Sequence, residues 1–204
     1  PRDAVDPTKD KRILISLYGI AYSPVDGSIW GSVASFPGGV ARIAPGADPA
    51  NTALTEYYEV PFDDPRAPLS GYAPRGLDVD RQGVAWVPLA SGHMASFDRR
   101  KCKVTNGPTA TGKHCPEGWT LYPFPVPQYR NVTESGSAES SYFTWVDQHD
   151  TFGLGKDVPM STANLNDGLV ALKDGKMISL KVPYPLGFYA KGFDGRIDDP
   201  NAGW

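Results

Sequence analysis

The chain has 204 residues, of which 40% are hydrophobic, and its 22 glycines and 20 prolines exceed average usage. Its formal net charge of −3 comes from acidic and basic residues scattered along the chain, which argues against nucleic-acid binding. No stretch reaches about 18 consecutive apolar residues, so the sequence predicts a turn-rich globular protein without a membrane-spanning helix.

A β-hairpin motif occurs twice in the first half of the chain. The first copy runs from Tyr18 to Trp30 and the second from Arg75 to Trp86, and each has a glycine-containing turn between two short alternating strands. Because both tryptophans end equivalent strands, we predict that they occupy equivalent positions and pack between neighbouring repeat units.

Two further strands follow each hairpin. The third strand spans residues 39–43 in the first copy and 93–98 in the second. A fourth strand, rich in aromatic residues, ends in proline at residues 55–61, 119–124 and 177–183. Proline cannot donate a hydrogen bond to a neighbouring strand, so it favours an outer edge. Four antiparallel strands per unit indicate the blade of a β-propeller.

The third copy is irregular in its first half. Residues 141–146 are the predicted inner strand, and residues 147–167 are predicted to form a long connection. Its outer half is clearer, with strands at 168–172 and 176–182 around the turn Asp174-Gly175.

A fourth unit is predicted to open at residues 188–194, which match residues 72–78. We therefore predict an all-β fold, a single β-propeller domain over residues 1–204, with blades at roughly 13–62, 71–127 and 141–185 and the start of another at 187–204. The apolar run 13–17 has no preceding blade to cover it, which predicts that the chain is a fragment of a longer propeller.

One blade signature resembles a known family. It consists of Pro74-Arg75-Gly76-Leu77-Asp78-Val79-Asp80 followed by Gly83-Val84-Ala85-Trp86. This pattern is similar to blades of the streptogramin lyase (virginiamycin B lyase)-like propellers, which group with gluconolactonase-like and NHL-repeat proteins. The resemblance implies a propeller of about six or seven blades, often exported from bacteria. It also implies a lyase chemistry that uses magnesium, a histidine base and acidic partners, although that active-site motif has no residue-by-residue match here.

The chain has three histidines, and His149 is the best candidate for a catalytic base. It lies between Asp147 and Asp150, directly after a predicted inner strand. Carboxylates at these two positions could hold magnesium or calcium while the imidazole acts as the base. The alternative interpretation is a solvated turn. His93 and His114 are interpreted as a strand-end residue and a loop residue.

Asp78 and Asp80 alternate with apolar residues, so their side chains lie on one face of a strand. Asp194 is the repeat equivalent of Asp78. A carboxylate that recurs with the repeat favours a structural hydrogen bond over catalysis.

Cys102 and Cys115 lie close together in a polar segment rich in turn residues. They could form a disulfide worth about 3 kcal/mol for a ring of this size, or remain two free thiols in a reduced protein. A disulfide would place the protein in an oxidising compartment, either the periplasm or outside the cell.

Two functions of different classes are consistent with these features. The first is a binding or scaffold propeller that recognises a protein partner or a small ligand through its top-face loops. The second is a metal-assisted enzyme, similar to a streptogramin lyase or a lactonase, that acts at the central channel. Neither interpretation involves nucleic acid, and the remaining blades of the propeller would be partners of this chain in both.

Overall fold

A computed structural model describes residues 15–194 and contains three four-stranded antiparallel sheets, each a blade of a β-propeller. Blade 1 comprises β1 (Ile20–Tyr22), β2 (Ile29–Val33), β3 (Gly39–Ala44) and β4 (Leu54–Glu59), with the short helix α1 (Pro49–Thr52) before β4. Blade 2 comprises β5 (Asp78–Val79), β6 (Ala85–Leu89), β7 (His93–Phe97) and β8 (Trp119–Pro123). Blade 3 comprises β9 (Thr144–Asp147), β10 (Val158–Ala163), β11 (Gly168–Lys173) and β12 (Lys176–Lys181). The predicted fold class is confirmed.

Single turns of 3₁₀ helix at Arg99–Lys101 and Pro116–Gly118 flank the β7–β8 loop. That loop contains the disulfide between Cys102 and Cys115, whose Cα atoms are 5.2 Å apart. The first of the two cysteine alternatives is therefore the one observed. No helix within residues 15–194 combines the length and the hydropathy that a bilayer crossing needs.

Trp30 and Trp86 occupy equivalent positions, as predicted. Trp30 pairs with Ala21 across the first hairpin, and Trp86 pairs with Asp78 across the second, in the same register relative to Gly19 and Gly76. Each indole contacts the apolar layer between its own blade and the next, and buried rings of this size contribute strongly to such layers.

The first layer, between blades 1 and 2, contains Trp30, Tyr58, Phe97 and Trp119. Phe97 lies at its centre, with its ring centroid 6.0 Å from that of Trp30 and 4.5 Å from that of Tyr58. The second layer, between blades 2 and 3, contains the stacked pair Trp86 and Tyr122, together with Met94, Phe124, Val170 and Leu172. A third cluster, around Trp145 and Met160, lies on the face of blade 3 away from blade 2. Two of these three core clusters therefore lie between blades.

Blade 3 differs from its sequence interpretation in the first half. The predicted connection 147–167 contains a complete strand, β10, which pairs with β9 on one side and β11 on the other. All six residues of β10 are buried, including Pro159, Ser161 and Thr162. Hydroxyl partners satisfy the polar side chains, for example Thr144 Oγ1 at 2.6 Å from Ser161 Oγ. A strand buried on both faces lacks the apolar–polar alternation that identifies an amphipathic strand.

The predicted fourth blade begins in the last described segment. Residues 188–194 form no strand within the described part of the chain, although Ala190 exchanges two hydrogen bonds of 2.9 Å with the side chain of Asn164. Phe193 packs on Trp145, with ring centroids 5.1 Å apart. Residues 72–77, the match of this segment in blade 2, likewise precede their inner strand, β5. The strand that would correspond to β5 extends beyond the described residues, so the fourth blade stays a prediction.

Equivalent positions of blades 1 and 2 differ sharply in exposure. On blade 2, Leu77, Val79 and Ala85 are each 0% exposed because blade 1 covers them, whereas the corresponding residues of blade 1, Ile20, Tyr22 and Ile29, are 64%, 59% and 38% exposed. The expectation of further blades stays a prediction.

Parallel alignment of the inner strands gives the molecule two distinct ends. Gly76 and Phe143 form a parallel bridge between blades 2 and 3, so the inner strands of these blades start at the same end. We call this the upper end; it carries the loops 34–38, 60–77, 90–92, 124–143, 164–167 and 182–191. The lower end carries the loops 23–28, 45–53, 80–84, 98–118, 148–157 and the turn 174–175.

Candidate functional site

The residues that precede the inner strands converge at the upper end. Gly19 and Gly76 allow this close approach, since a Cβ atom on Gly19 would lie 2.8 Å from the Cα atom of Gly76, and one on Gly76 would overlap the Phe143 ring. The Gly76 N–H donates to the Tyr142 carbonyl at 2.9 Å, and the Gly76 carbonyl accepts from Thr144 N–H at 3.0 Å. The repeated glycines therefore hold neighbouring blades together where the chain enters each inner strand.

An arginine–tyrosine–lysine cluster forms at this convergence. The guanidinium carbon of Arg75 lies 4.3 Å from the centroid of the Tyr142 ring, and Lys191 Nζ lies 5.8 Å from the same centroid. Both distances are within the range of cation–π attraction. Tyr189 completes the cluster, with its ring centroid 5.9 Å from that of Tyr142.

Arg75 is held in place by backbone contacts. Its Nη1 donates to the Ser141 carbonyl at 2.8 Å and to Ser140 Oγ at 3.4 Å. Within residues 15–194, neither Arg75 nor Lys191 forms an ion pair with a carboxylate. The upper end thus presents two positive charges that lack a neutralising partner in the described part of the chain.

The two tyrosines of the cluster have different proton affinities. A hydrogen bond from Tyr189, together with the charges of Arg75 and Lys191, lowers the pKa of Tyr142. The same hydrogen bond to Tyr142 raises the pKa of Tyr189. Tyr142 is therefore the phenol that most readily carries negative charge or accepts a hydrogen bond.

His93 is a buried, neutral base at the upper end. It is 0% exposed, its Nδ1 lies 2.9 Å from Ser91 Oγ, and its buried Nε2 has no hydrogen-bond partner among residues 15–194. Burial lowers the pKa of His93 to about 4. The sequence interpretation of His93 as a strand-end residue agrees with its position at the start of β7.

The residues predicted to form a metal site lie at the lower end. Asp147 is 0% exposed, and its two carboxylate oxygens accept hydrogen bonds from the backbone N–H groups of His149, Thr151 and Phe152 at 2.9–3.3 Å. Asp150 has a φ of 67°, and its Oδ1 accepts a hydrogen bond from Gly155 N–H at 2.6 Å. These contacts close the β9–β10 loop as an Asx-type turn.

No group of three or more histidine, cysteine, aspartate or glutamate side chains among residues 15–194 is placed to hold a metal ion. The assignments of His149 as a base and of Asp147 and Asp150 as ligands of magnesium or calcium stay predictions.

Asp78 and Asp80 both organise backbone. Asp78 Oδ2 accepts from Val146 N–H at 3.0 Å, which links the inner strands of blades 2 and 3. Asp80 accepts from two N–H groups of its own turn and from Trp86 Nε1 at 2.9 Å. Asp194, the repeat equivalent of Asp78, is exposed in the last described segment.

Sequence reasoning missed Tyr142, Tyr189 and Lys191 as site residues and named Arg75 only as part of the repeated blade motif. A signal was present in the repeat itself. Each of Tyr18-Gly19, Arg75-Gly76 and Lys191-Gly192 places a large polar side chain directly before a repeat glycine. Because the inner strands surround a common axis, the residues before these glycines meet at one end of it.

Comparisons with known proteins found similarity in structure alone. No protein family matched the sequence, and no curated protein matched it. Among solved structures, a streptogramin B lyase is 13% identical and matches over 83% of this chain and 55% of its own, with a TM-score of 0.41. A protein of unknown function from Bacteroides caccae is 11% identical over 81% of this chain and 46% of its own, with a TM-score of 0.43.

Virginiamycin B lyase from Staphylococcus aureus is 15% identical over 83% of this chain and 56% of its own, with a TM-score of 0.36. The chain spans about half the length of the solved structures that it matches. Two of these three structures are lyases of the kind that the blade signature resembles, and the assignment of three propeller blades follows from the chain's own strand pairing.

Proposed function

We propose that this chain is part of an exported propeller that binds a small anionic ligand at the upper end. The observation that carries the proposal is the Arg75–Tyr142–Lys191 cluster, in which two cations that pair with no carboxylate among residues 15–194 flank one tyrosine ring. A carboxylate or phosphate group would supply the missing negative charge, and guanidinium groups bind such anions with directed hydrogen bonds.

The aromatic residues around the cluster favour a ligand that also has a flat ring. Tyr18 and Tyr189 are 49% and 61% exposed, and each offers a ring face or edge to a bound molecule. Farther out at the same end, Phe36, Phe62 and Tyr72 form an aromatic group with ring centroids 4.7–6.0 Å apart. We therefore propose an aromatic carboxylate or phosphate as the ligand class.

Export is the second part of this proposal. The disulfide between Cys102 and Cys115 supports it, because such bonds persist in oxidising compartments.

Ligand-observed ¹⁹F NMR with 4-fluorobenzoate as the probe tests the binding proposal. We expect the wild-type chain to bind it and the variants Arg75→Gln and Lys191→Gln to bind it at least tenfold more weakly, because each removes one unpaired cation. Lys176→Gln, an exposed lysine at the lower end, is the matched control and should bind like wild type. Equal binding by all four proteins would contradict the proposal.

The metal-assisted alternative is tested with the wild type and two further variants. Titration with magnesium and calcium, with metal content measured, would favour it if binding is saturable and is lost in Asp147→Asn and His149→Gln. Binding of 4-fluorobenzoate that needs neither metal and depends on Arg75 would favour the binding protein.

A further inference from the structure

A cavity lies on the outer side of the molecule, far from the cluster at the upper end. One wall is the first part of β4, residues 54–57, and the other is the disulfide-containing β7–β8 loop of blade 2. Its volume is about 440 Å³, within the range of pockets that hold small organic molecules. The two walls come from different blades, so the cavity exists only where blades 1 and 2 are assembled.

The loop wall is fastened to blade 1 at several points. Glu59 N–H donates to the Gly112 carbonyl at 2.9 Å, and Lys113 Nζ lies 3.2 Å from Glu59 Oε1. Arg66 Nη2 donates to the Lys113 carbonyl at 2.8 Å. The disulfide closes the base of the same loop. These contacts hold the loop against the upper half of β4, while residues 105–111 face its lower half across the cavity.

The charged group at the cavity is already neutralised. Glu56 accepts two hydrogen bonds of 2.6 Å from Arg99 and lies 3.3 Å from Arg42 Nη1. A bidentate pair of this kind leaves little charge for a ligand.

The titratable rings at the cavity are uncharged at neutral pH. The Gly112 N–H donates to His114 Nδ1 at 3.1 Å, which requires an unprotonated nitrogen, and burial lowers the pKa of His114. Burial raises the pKa of Tyr57 to about 12, so its phenol keeps its proton. The rest of the lining combines apolar groups, such as Leu54 and Ala110, with hydroxyl and amide groups, such as Thr105 and Asn106.

We propose that this cavity is a binding site for an uncharged, ring-containing small molecule with hydroxyl groups. The apolar side chains and the Tyr57 ring would contact the ring of the ligand, and the threonine and asparagine groups would hydrogen-bond its hydroxyls. An anion would be disfavoured here, since no lysine or arginine of the described residues lines the cavity. This site is independent of the one at the upper end.

The test uses 4-fluorobenzyl alcohol as the probe in ligand-observed ¹⁹F NMR. We expect Ala110→Phe, which fills the cavity, to weaken binding at least tenfold. Thr109→Phe adds the same ring one residue away on an exposed position and should bind like wild type. Equal loss in both variants, or no loss in Ala110→Phe, would overturn the proposal.

Two further measurements separate this site from the upper one. Arg75→Gln should leave the binding of 4-fluorobenzyl alcohol unchanged, and Ala110→Phe should leave the binding of 4-fluorobenzoate unchanged. The double variant Cys102→Ser/Cys115→Ser, which removes the covalent link at the base of the loop wall, should weaken the binding of the alcohol at least threefold. If 4-fluorobenzoate competes with the alcohol for the cavity, the assignment to uncharged ligands is wrong.

Discussion

The two ends of the molecule use charge in different ways. At the lower end, carboxylates are paired within the fold: Asp26 with Arg42, Asp157 with Arg81, and Asp80 and Asp147 with backbone N–H groups. At the upper end, Arg75 and Lys191 lie over a tyrosine ring and pair with no carboxylate among residues 15–194. The comparison shows that a charged residue on a propeller loop can be judged a functional candidate only once its partners within the fold are known.

The largest effect on stability is expected at the lower end, from Asp147→Ala. Three buried or partly buried N–H groups would lose their acceptor, which should reduce the free energy of unfolding by about 3–4 kcal/mol. Asp150→Asn keeps an acceptor oxygen and tolerates the positive φ, so it should change stability by less than about 0.5 kcal/mol. Urea denaturation of both variants measures this. A loss below about 1 kcal/mol for Asp147→Ala would show that the carboxylate is not a structural group.

Burial of His93 at the upper end should make the free energy of unfolding depend on pH, with a change of about 3 kcal/mol. Its pKa is about 4 in the folded protein and 6.5 ordinarily. Between these values the unfolded chain binds a proton that the folded chain does not, so stability falls as pH falls from 6.5 to 4. The wild type should therefore lose more stability across this range than His93→Gln. An unchanged slope in His93→Gln would contradict the assignment.

Glu56→Gln should reduce the free energy of unfolding by a smaller amount, about 1–2 kcal/mol. Burial alone would raise the pKa of Glu56, but hydrogen bonds from Arg99 and Tyr58 and the charges of Arg99 and Arg42 hold it below 4.5. The carboxylate therefore stabilises the fold above its ordinary pKa, and this contribution is lost as pH falls through the lower, folded value.

Thermal unfolding at neutral and acidic pH should show the difference between the wild type and Glu56→Gln shrinking with acid. Glu59→Gln, at an exposed ion pair with Lys113, is the control and should have little effect at either pH. A difference that stays constant with pH would mean that packing, and not charge, explains the loss.

The smallest effect on stability is expected at the cluster itself. Arg75→Gln removes one backbone contact and one cation–π contact, together worth about 1 kcal/mol or less at an accessible site. A large loss of stability in Arg75→Gln would make the upper end a structural region like the lower one.

Tyr189→Phe should raise the pKa of Tyr142, because the variant lacks the hydrogen bond that lowers this pKa. Ultraviolet titration of tyrosinate measures the shift.

The local parts of the fold could be predicted from sequence where patterns repeat. The hairpins ending in Trp30 and Trp86 could be predicted because the alternation of a strand and the glycine of a turn each span only a few residues. Strand β10 was missed because burial on both faces removes alternation and because Pro159 argues against a central strand. The fourth blade, predicted from the match of 188–194 to 72–78, extends beyond the described residues and stays a prediction.

The candidate site was harder to predict than the fold. Asp147, His149 and Asp150 are adjacent in sequence and therefore noticeable, but the Asp147 carboxylate is occupied by three backbone N–H groups. The cluster at the upper end joins positions 75, 142 and 191, and no local pattern links residues so far apart.

The sequence by itself determined most of the strands, the four-strand repeat, the equivalence of Trp30 and Trp86, and the candidate disulfide, because each depends on short-range spacing. Only the tertiary structure decided which charges are paired inside the fold and which are left at the surface. That distinction depends on contacts between blades, such as Arg75 over Tyr142 and the β7–β8 loop against β4. Those contacts follow from how the inner strands surround a common axis, which spacing along the chain does not encode.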